Sequence, residues 1–194
     1  MHLLAGSTRE TAARRFDDTT YHLVQQTAEV RYDGVGVSAS ALVGLAPGLS
    51  LAGWARSDTR LRAKVGETTT AETDLPRMVG GGVRFAPSPT VRVAATAAWR
   101  SWSHAGPGSF NTWSWSAGAE LGLTAPIRFG LRGGQMPFGS GTTAPTEFAV
   151  AAGTGRVFAE GRGRLEVGLE RLERSGAGLK EHVWTILVGM TIRP

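Results

Sequence analysis

The stretch TWSWSAGAELGL, residues 112–123, decides how the chain folds, because apolar and small polar residues alternate along it without a break. One set of alternate positions is apolar: Trp113, Trp115, Ala117, Ala119, Leu121 and Leu123. The other set is small or charged: Thr112, Ser114, Ser116, Gly118, Glu120 and Gly122. Successive side chains of a β-strand point to opposite faces, so the stretch predicts a strand with one apolar and one polar face.

Further segments repeat this alternation on both sides of the stretch. Residues 34–45 and 184–193 carry it at similar length, and shorter versions occupy 127–132 and 164–170. Together with the turn residues between them, these patterns predict nine strands. The predicted strands lie at 28–45, 49–65, 76–85, 90–102, 111–123, 126–136, 146–156, 161–174 and 180–193.

The segment 162–174 also fits a second pattern. Leu165, Leu169 and Leu172 recur among charged residues at the spacing of an amphipathic helix. Two glycines within the segment count against a helix, since an interior glycine costs about 1 kcal/mol relative to alanine. Because the segment also lies between two alternating ones, we predict a strand there.

The predicted connections sort by length. Those after residues 45, 85, 123 and 156 are short, whereas four others are longer and rich in Gly, Ser, Thr and Pro. The longer connections are 66–75, 103–110, 137–145 and 175–179. Short turns at one end and long loops at the other are typical of outer-membrane barrels, whose short turns face the periplasm. We therefore predict an all-β fold, an antiparallel transmembrane β-barrel with about nine or ten strands present, formed by residues 28–194.

The N-terminal segment 1–27 lacks this regularity, and we expect it to be irregular or to supply a partial strand near Thr20–Val24. The first and last predicted strands run the same way, so closing an antiparallel barrel needs an odd number of further strands. Residues 1–10 also lack the basic start and apolar stretch of a secretory signal. We expect the chain to be part of a larger barrel. The alternative is a soluble β-barrel or β-sandwich that binds a ligand or a partner and has no transport role.

Composition bears on several other classes of protein. No apolar run reaches the roughly 18 residues that a transmembrane helix needs. The net charge is +5, but the arginines are scattered among Asp and Glu, so we predict no nucleic-acid partner. Cysteine is absent, and His2, His22, His104 and His182 are far apart in sequence. No serine-hydrolase elbow or phosphate loop occurs either. We therefore predict no enzyme activity and no catalytic, cofactor or metal site, and an outer-membrane enzyme barrel is unsupported.

Two sets of residues are candidates for functional positions. Charged residues at polar alternate positions are expected to face the barrel lumen, since a charge facing lipid at mid-membrane costs about 2–4 kcal/mol. The alternative is that they pair with one another across strands. This set is Glu120, Arg128, Arg132, Arg164, Glu166 and Glu170. Tryptophans suit a membrane interface, the alternative being the core of a soluble β protein. That set is Trp99, Trp102, Trp113, Trp115 and Trp184.

Short motifs in the chain resemble those of FadL-type outer-membrane transporters of long-chain fatty acids and aromatic hydrocarbons. Residues 73–78, TDLPRM, open a hairpin whose returning strand ends in WRSWS at 99–103, similar to the LP and WS elements of the family. Further segments resemble family elements in the family's order: GWARS at 53–57, PIRFG at 126–130 with MPF at 136–138, GRGRLEV at 161–167, and 184–193.

The resemblance extends over residues 28–194 and implies a barrel of about fourteen strands with an N-terminal hatch. It implies passive uptake of hydrophobic small molecules, such as long-chain fatty acids, across the bacterial outer membrane. The implied partners are outer-membrane lipids, the hydrophobic ligand and the barrel assembly machinery. No ligand-binding residue is carried over, because much of the family's pocket would lie upstream of Met1. The C-terminus, Thr191–Pro194, departs from the family by lacking a terminal aromatic residue.

Overall fold

The alternating segments form strands of a single antiparallel sheet. The computed structural model of the protein describes residues 1–14, 24–159, 162–176 and 178–192. These residues form a 12-stranded sheet and one short 3-10 helix, Trp102–His104. No helix in this described part of the chain is long and apolar enough to cross a membrane. The strands are β1 (His2–Arg14), β2 (Val24–Ala46), β3 (Leu49–Asp58), β4 (Leu61–Val65), β5 (Thr68–Thr73), β6 (Met78–Ser88), β7 (Val91–Arg100), β8 (Thr112–Leu121), β9 (Ile127–Gln135), β10 (Thr146–Phe158), β11 (Gly163–Gly176) and β12 (Leu179–Ile192).

The strands are ordered β12-β11-β10-β9-β8-β7-β6-β3-β2-β4-β5 across the sheet, and β1 also pairs with β2. β3 and β4 lie end to end beside β2, with β3 on residues 36–46 and β4 on residues 30–33. At the next position of the sheet, β5 pairs with β4 and β6 pairs with β3, so these two strands also lie end to end. β1, the first half of β2, β4 and β5 therefore project beyond the other strands, and we call these four segments the extension. Among the described residues, no pairing joins β12 to β1 or β2, so the sheet is not closed.

The prediction of an all-β antiparallel fold is confirmed, and each of the nine predicted segments contains a strand. Two predicted long connections are wrong. Residues 66–75 are mostly the β4–β5 hairpin, because Thr68–Thr73 pair along β4. Residues 175–179 hold only a two-residue connection, since β11 continues to Gly176 and β12 begins at Leu179. In the N-terminal segment 1–27, residues 2–14 form β1 and Val24 begins β2, whereas Thr20–Leu23 lie outside the described residues.

The two faces of the sheet differ in chemistry and in exposure. The face that carries Trp113, Leu131, Leu169 and Val188, which we call the apolar face, consists mainly of exposed hydrophobic side chains. The opposite face, which we call the polar face, carries most of the charged residues of β7–β11. Four of the buried residues in the described part of the chain, Ala98, Thr112, Ala149 and Leu172, lie on the polar face. On β8 to β11 the polar-face side chains shelter one another and are less exposed than most side chains of the apolar face.

Candidate functional site

A ladder of charged side chains crosses the polar face from β7 to β11. Arg92 Nη1 donates to Glu120 Oε1 at 2.8 Å, and Arg128 Nε donates to Glu120 Oε2 at 2.6 Å. Arg128 Nη1 then donates to Glu166 Oε1 at 2.6 Å, and Arg164 Nη2 lies 2.8 Å from the same oxygen. We call these five residues the first ladder. With three arginines and two glutamates, it has one surplus positive charge.

A second ladder lies nearer the end of the sheet where the long connections are. Arg132 holds Glu170 with two nitrogens, at 2.8 and 3.2 Å, and reaches Glu147 with a third at 3.1 Å. Glu147 accepts in turn from Arg174 at 3.3 Å, and Arg174 reaches Glu181 at 3.4 Å. Two arginines and three glutamates leave this ladder one surplus negative charge, so the two ladders offset each other.

The first ladder crosses β10 without contacting a side chain of that strand, and the Arg132–Glu170 pair of the second ladder also spans it. Between residues 149 and 155, β10 presents only alanine and glycine to the polar face. A Cβ added at Gly155 would lie 3.2 Å from Glu166 Cγ and 3.7 Å from Arg128 Nη1. Small residues on β10 therefore leave the space in which arginines of β9 reach glutamates of β11.

The structure places all six predicted charged residues on the polar face, where they belong to the two ladders: Glu120, Arg128, Arg132, Arg164, Glu166 and Glu170. Glu120 and Arg128 pair across adjacent strands, as the alternative interpretation predicted. Arg128–Glu166 and Arg132–Glu170 pair across an intervening strand, and Arg164 pairs with Glu166 on the same strand. Sequence reasoning missed four further members: Arg92, Glu147, Arg174 and Glu181. The alternation of apolar and polar residues places each of these four on the polar side of its strand. Continuing the alternation to the strand ends would therefore have identified them.

The part of the polar face on β2, β3 and β6 is less charged. Trp54 on β3 lies against Gly80 of β6, where an added Cβ would meet the indole ring. Leu42, Ala52 and Met78 lie on the same face of neighbouring strands. The polar face is thus divided into a charged half and a half of small and apolar side chains that includes an indole.

Four of the five predicted interfacial tryptophans lie on the apolar face near the long connections. Trp99 and Trp113 are register partners on β7 and β8. Trp115 packs against Phe148 with ring centroids 6.3 Å apart, and the Arg171 guanidinium lies 5.6 Å from the ring centroid of Trp184. The fifth, Trp102, lies in the 3-10 helix just beyond β7, with its ring centroid 5.4 Å from that of Phe138.

Between β8 and β12 the apolar run is displaced along the strands by an average of one residue per strand. It extends from Trp113 to Leu121 on β8 and from Trp184 to Ile192 on β12. The register across these strands joins, in order, Leu121, Ile127, Thr154, Val167 and Val188. Ile192 lies four residues beyond Val188, so the run moves on average by one residue per strand. Each residue rises by about 3.3 Å along a strand, and neighbouring strands are about 4.8 Å apart. A step of one residue per strand therefore tilts the strands by about 35° from the normal to the apolar band.

The extension carries its own ion pairs. Glu29 accepts hydrogen bonds from Arg31 at 3.2 Å and from Arg9 at 3.4 Å, and these hydrogen bonds lower the pKa of the Glu29 carboxyl. Next to the extension, Arg60 between β3 and β4 donates to Asp74 at 2.8 Å, and this hydrogen bond raises the pKa of the guanidinium above its ordinary value. The extension is therefore a charged structure, in contrast to the apolar band beside it.

Three of the four histidines lie within the described residues. His2 Nε2 lies 2.6 Å from Oδ1 of Asp58, and His182 Nδ1 lies 3.5 Å from Glu173. His104 ends the 3-10 helix, and His22 is outside the described residues. In the ranges that the structure describes, no group of three His, Asp or Glu side chains could hold a metal ion.

No protein-family model matches the chain, and no curated protein matches it. The geometry of the two faces is therefore the basis for the function proposed below.

Proposed function

We propose that the protein forms wall strands of a bacterial outer-membrane β-barrel that takes up hydrophobic small molecules, such as long-chain fatty acids, by passive diffusion. The observation that carries the proposal is the inverted exposure of the two faces across β8 to β11. On the apolar face of these strands, Trp113 is 58% exposed and Phe129 is 55% exposed. On the polar face, only 22% of the Glu170 side chain and 27% of the Arg128 side chain are exposed.

Lipid gives a physical reason for this inversion. Covering a large apolar side chain is worth about 1.5–3 kcal/mol relative to leaving it in water, so a whole face of them favours a hydrocarbon surrounding. The run from Trp113 to Leu121 covers eight residue steps, or about 27 Å along the strand and about 22 Å along the membrane normal at the tilt derived above. Membrane barrels carry an apolar band of about 25 Å and strands tilted by about 35–45°. Both dimensions support a membrane-spanning wall.

The polar face supports a role in transport. In a barrel it lines the lumen, where ion pairs meet water instead of lipid. Its charged half and its half around Trp54 together suit an amphiphile with a polar head and an apolar tail. The choice of long-chain fatty acids as cargo rests on the resemblance to FadL-type transporters. Further strands would complete the barrel, because an open edge cannot stay unpaired in lipid.

A soluble β-barrel or β-sandwich is the competing function class. It would need a second layer of protein over the apolar face, since a monomer rarely exposes an apolar patch of more than a few hundred Å². Behaviour in water separates the two classes. A monomer that stays soluble without detergent would contradict the membrane proposal.

The experiment starts with the full-length protein refolded into detergent micelles. We expect heat-modifiable migration on a gel, in which the unheated sample runs as a compact closed barrel. Transport is then tested in cells that lack their own long-chain fatty acid transporter, with oleate as the carbon source. Growth on oleate that depends on the protein supports the cargo, and equal growth of cells with and without the protein contradicts it.

A further inference from the structure

A groove crosses the apolar face between β7 and β12, with a volume of about 600 Å³. Its floor consists of small residues: Ala117, Gly118, Ala119, Gly130, Ala151 and Ala152. Larger apolar side chains, Phe129, Leu131 and Leu169, stand along it, and Arg171 with Trp184 closes its end at β12. We propose that the groove binds an anionic phospholipid of the surrounding membrane, with an acyl chain along the floor and the negatively charged headgroup at Arg171. The inference rests on the proposed function, because only a bilayer presents such a lipid to this face.

Arg171 is the charged residue of the groove and can bind an anion. Its side chain is on the apolar face, opposite Trp184 in the register, with the guanidinium 5.6 Å from the centroid of the indole ring. Glu173 Oε1 accepts from Arg171 Nη2 at 2.6 Å. A guanidinium has five N–H donors in a planar fork, so it can also hold a phosphate in bidentate geometry. The chemistry at this end of the groove therefore complements an anionic headgroup.

The position of Arg171 also matches a headgroup. Trp184 begins the apolar run on β12 as Trp113 begins it on β8, so both tryptophans lie at the same edge of the apolar band. Arg171 is level with Trp184 and therefore lies at that edge. Membrane interfaces favour tryptophan at the level of the headgroups, and arginine reaches the same level from within the bilayer.

The path of the groove matches one lipid leaflet. The lining follows a register row through Trp184, Arg171, Val150, Leu131 and Ala117, and it ends beside Val93 on β7. Five strand spacings make this row about 24 Å long. Because the strands tilt by about 35°, the row descends by about 14 Å from the edge of the band, close to half of a hydrocarbon core of about 30 Å. An acyl chain with its headgroup at Arg171 therefore ends near the middle of the bilayer.

The test uses the full-length protein in vesicles that contain equal amounts of phosphatidylglycerol and phosphatidylcholine with the same acyl chains. Flotation of the protein with the vesicles is measured first. The protein is then transferred to mild detergent, and the lipids that it retains are weighed by native mass spectrometry. We expect the wild type to retain phosphatidylglycerol about tenfold more than phosphatidylcholine, in line with a charge-assisted pair at Arg171.

Three variants separate groove binding from general attraction. Arg171→Gln should lose the tenfold preference, and Ala152→Phe, which fills the floor, should retain less of both lipids. Arg156→Gln is the matched control. Arg156 is an exposed arginine that lies two residues before the end of β10 at Phe158, and it does not line the groove. It should behave as the wild type does.

The remaining outcomes contradict either the proposed function or the lipid site in the groove. Protein that does not float contradicts the proposed function, whereas protein that floats but retains both lipids equally contradicts the groove alone. Equal losses in Arg156→Gln and Arg171→Gln would mean general charge attraction and would reject the site. Displacement of phosphatidylglycerol by an equal amount of oleate would assign the groove to the transported cargo instead of to a membrane lipid.

Discussion

Arg128 Nη1 lies 2.6 Å from Glu166 Oε1, although the whole of β10 separates the strands that carry the two residues. Two strand spacings amount to about 9.6 Å, so the arginine has to extend across the intervening backbone. Arg132 reaches Glu170 over the same strand at 2.8 Å. The two bridges tie β9, β10 and β11 together on the sheltered side of the sheet.

We predict a measurable coupling between Arg128 and Glu166. Because both side chains remain about a third exposed, a double-mutant cycle with Arg128→Gln and Glu166→Gln should give about 0.5–1 kcal/mol. Denaturant unfolding of the refolded protein in micelles measures it. A control cycle pairs Arg128→Gln with Glu181→Gln, which belongs to the second ladder, and should be additive. Equal coupling in the two cycles would contradict a direct bridge.

A second prediction concerns the indole on the polar face. An added Cβ at Gly80 would meet the Trp54 ring and lie 2.9 Å from the carbonyl oxygen of Ala97, so Gly80→Ala should destabilise the protein by about 1–3 kcal/mol. Gly53→Ala is the matched control, since nothing lies within 4 Å of its added Cβ. Alanine there should be neutral or stabilising by about 0.5 kcal/mol.

A second substitution shows which contact is responsible for the effect of Gly80→Ala. Adding Trp54→Leu should recover part of the lost stability in Gly80→Ala if the indole is the obstacle. No recovery would place the strain at the Ala97 carbonyl. Equal unfolding free energies for Gly80→Ala and Gly53→Ala would contradict the prediction.

The strands could be predicted because their alternation is local. Residues 112–123 specify a two-faced strand without reference to any neighbour, and β8 spans Thr112–Leu121. β1 was not predicted as a strand, since residues 2–14 mix polar and apolar residues on both faces and are held by pairing with β2 over thirteen positions. Thr68–Thr73 resembled a loop in composition for a similar reason, because pairing with β4 makes it a strand.

The charged positions could be predicted, but their partners could not. The alternation places Arg128 and Glu166 on the polar side of their strands. That they meet across β10 depends on the register of three strands and on the absence of side chains at Gly153 and Gly155. The groove on the apolar face is likewise a product of register, because Arg171, Val150 and Leu131 are distant in sequence and adjacent in one row.

Acid should loosen the extension. Hydrogen bonds from Arg31 and Arg9 lower the pKa of Glu29, so its contribution to stability is complete above the unfolded pKa, near 4.5, and is lost as the pH falls through the lower folded value. Amide hydrogen exchange of β1 and of residues 24–36 should therefore accelerate below about pH 4.5 relative to β8. Glu29→Gln should remove this pH dependence. An unchanged pH profile in that variant would exclude Glu29 as its source.

The sharpest test of the two faces uses adjacent residues of β12. Val188 is 71% exposed on the apolar face, and Leu187 is 59% exposed on the polar face. In water, arginine at either position is tolerated, because surface substitutions usually change stability by less than about 0.5 kcal/mol. In a membrane barrel, Val188→Arg puts a charge into lipid near the middle of the apolar run, which costs about 2–4 kcal/mol, whereas Leu187→Arg puts it into the lumen. Folding yield into vesicles and the unfolding free energy should both fall for Val188→Arg alone. Similar values for the two variants would place both faces in water and reject the membrane assignment, while a loss confined to Leu187→Arg would reverse the faces.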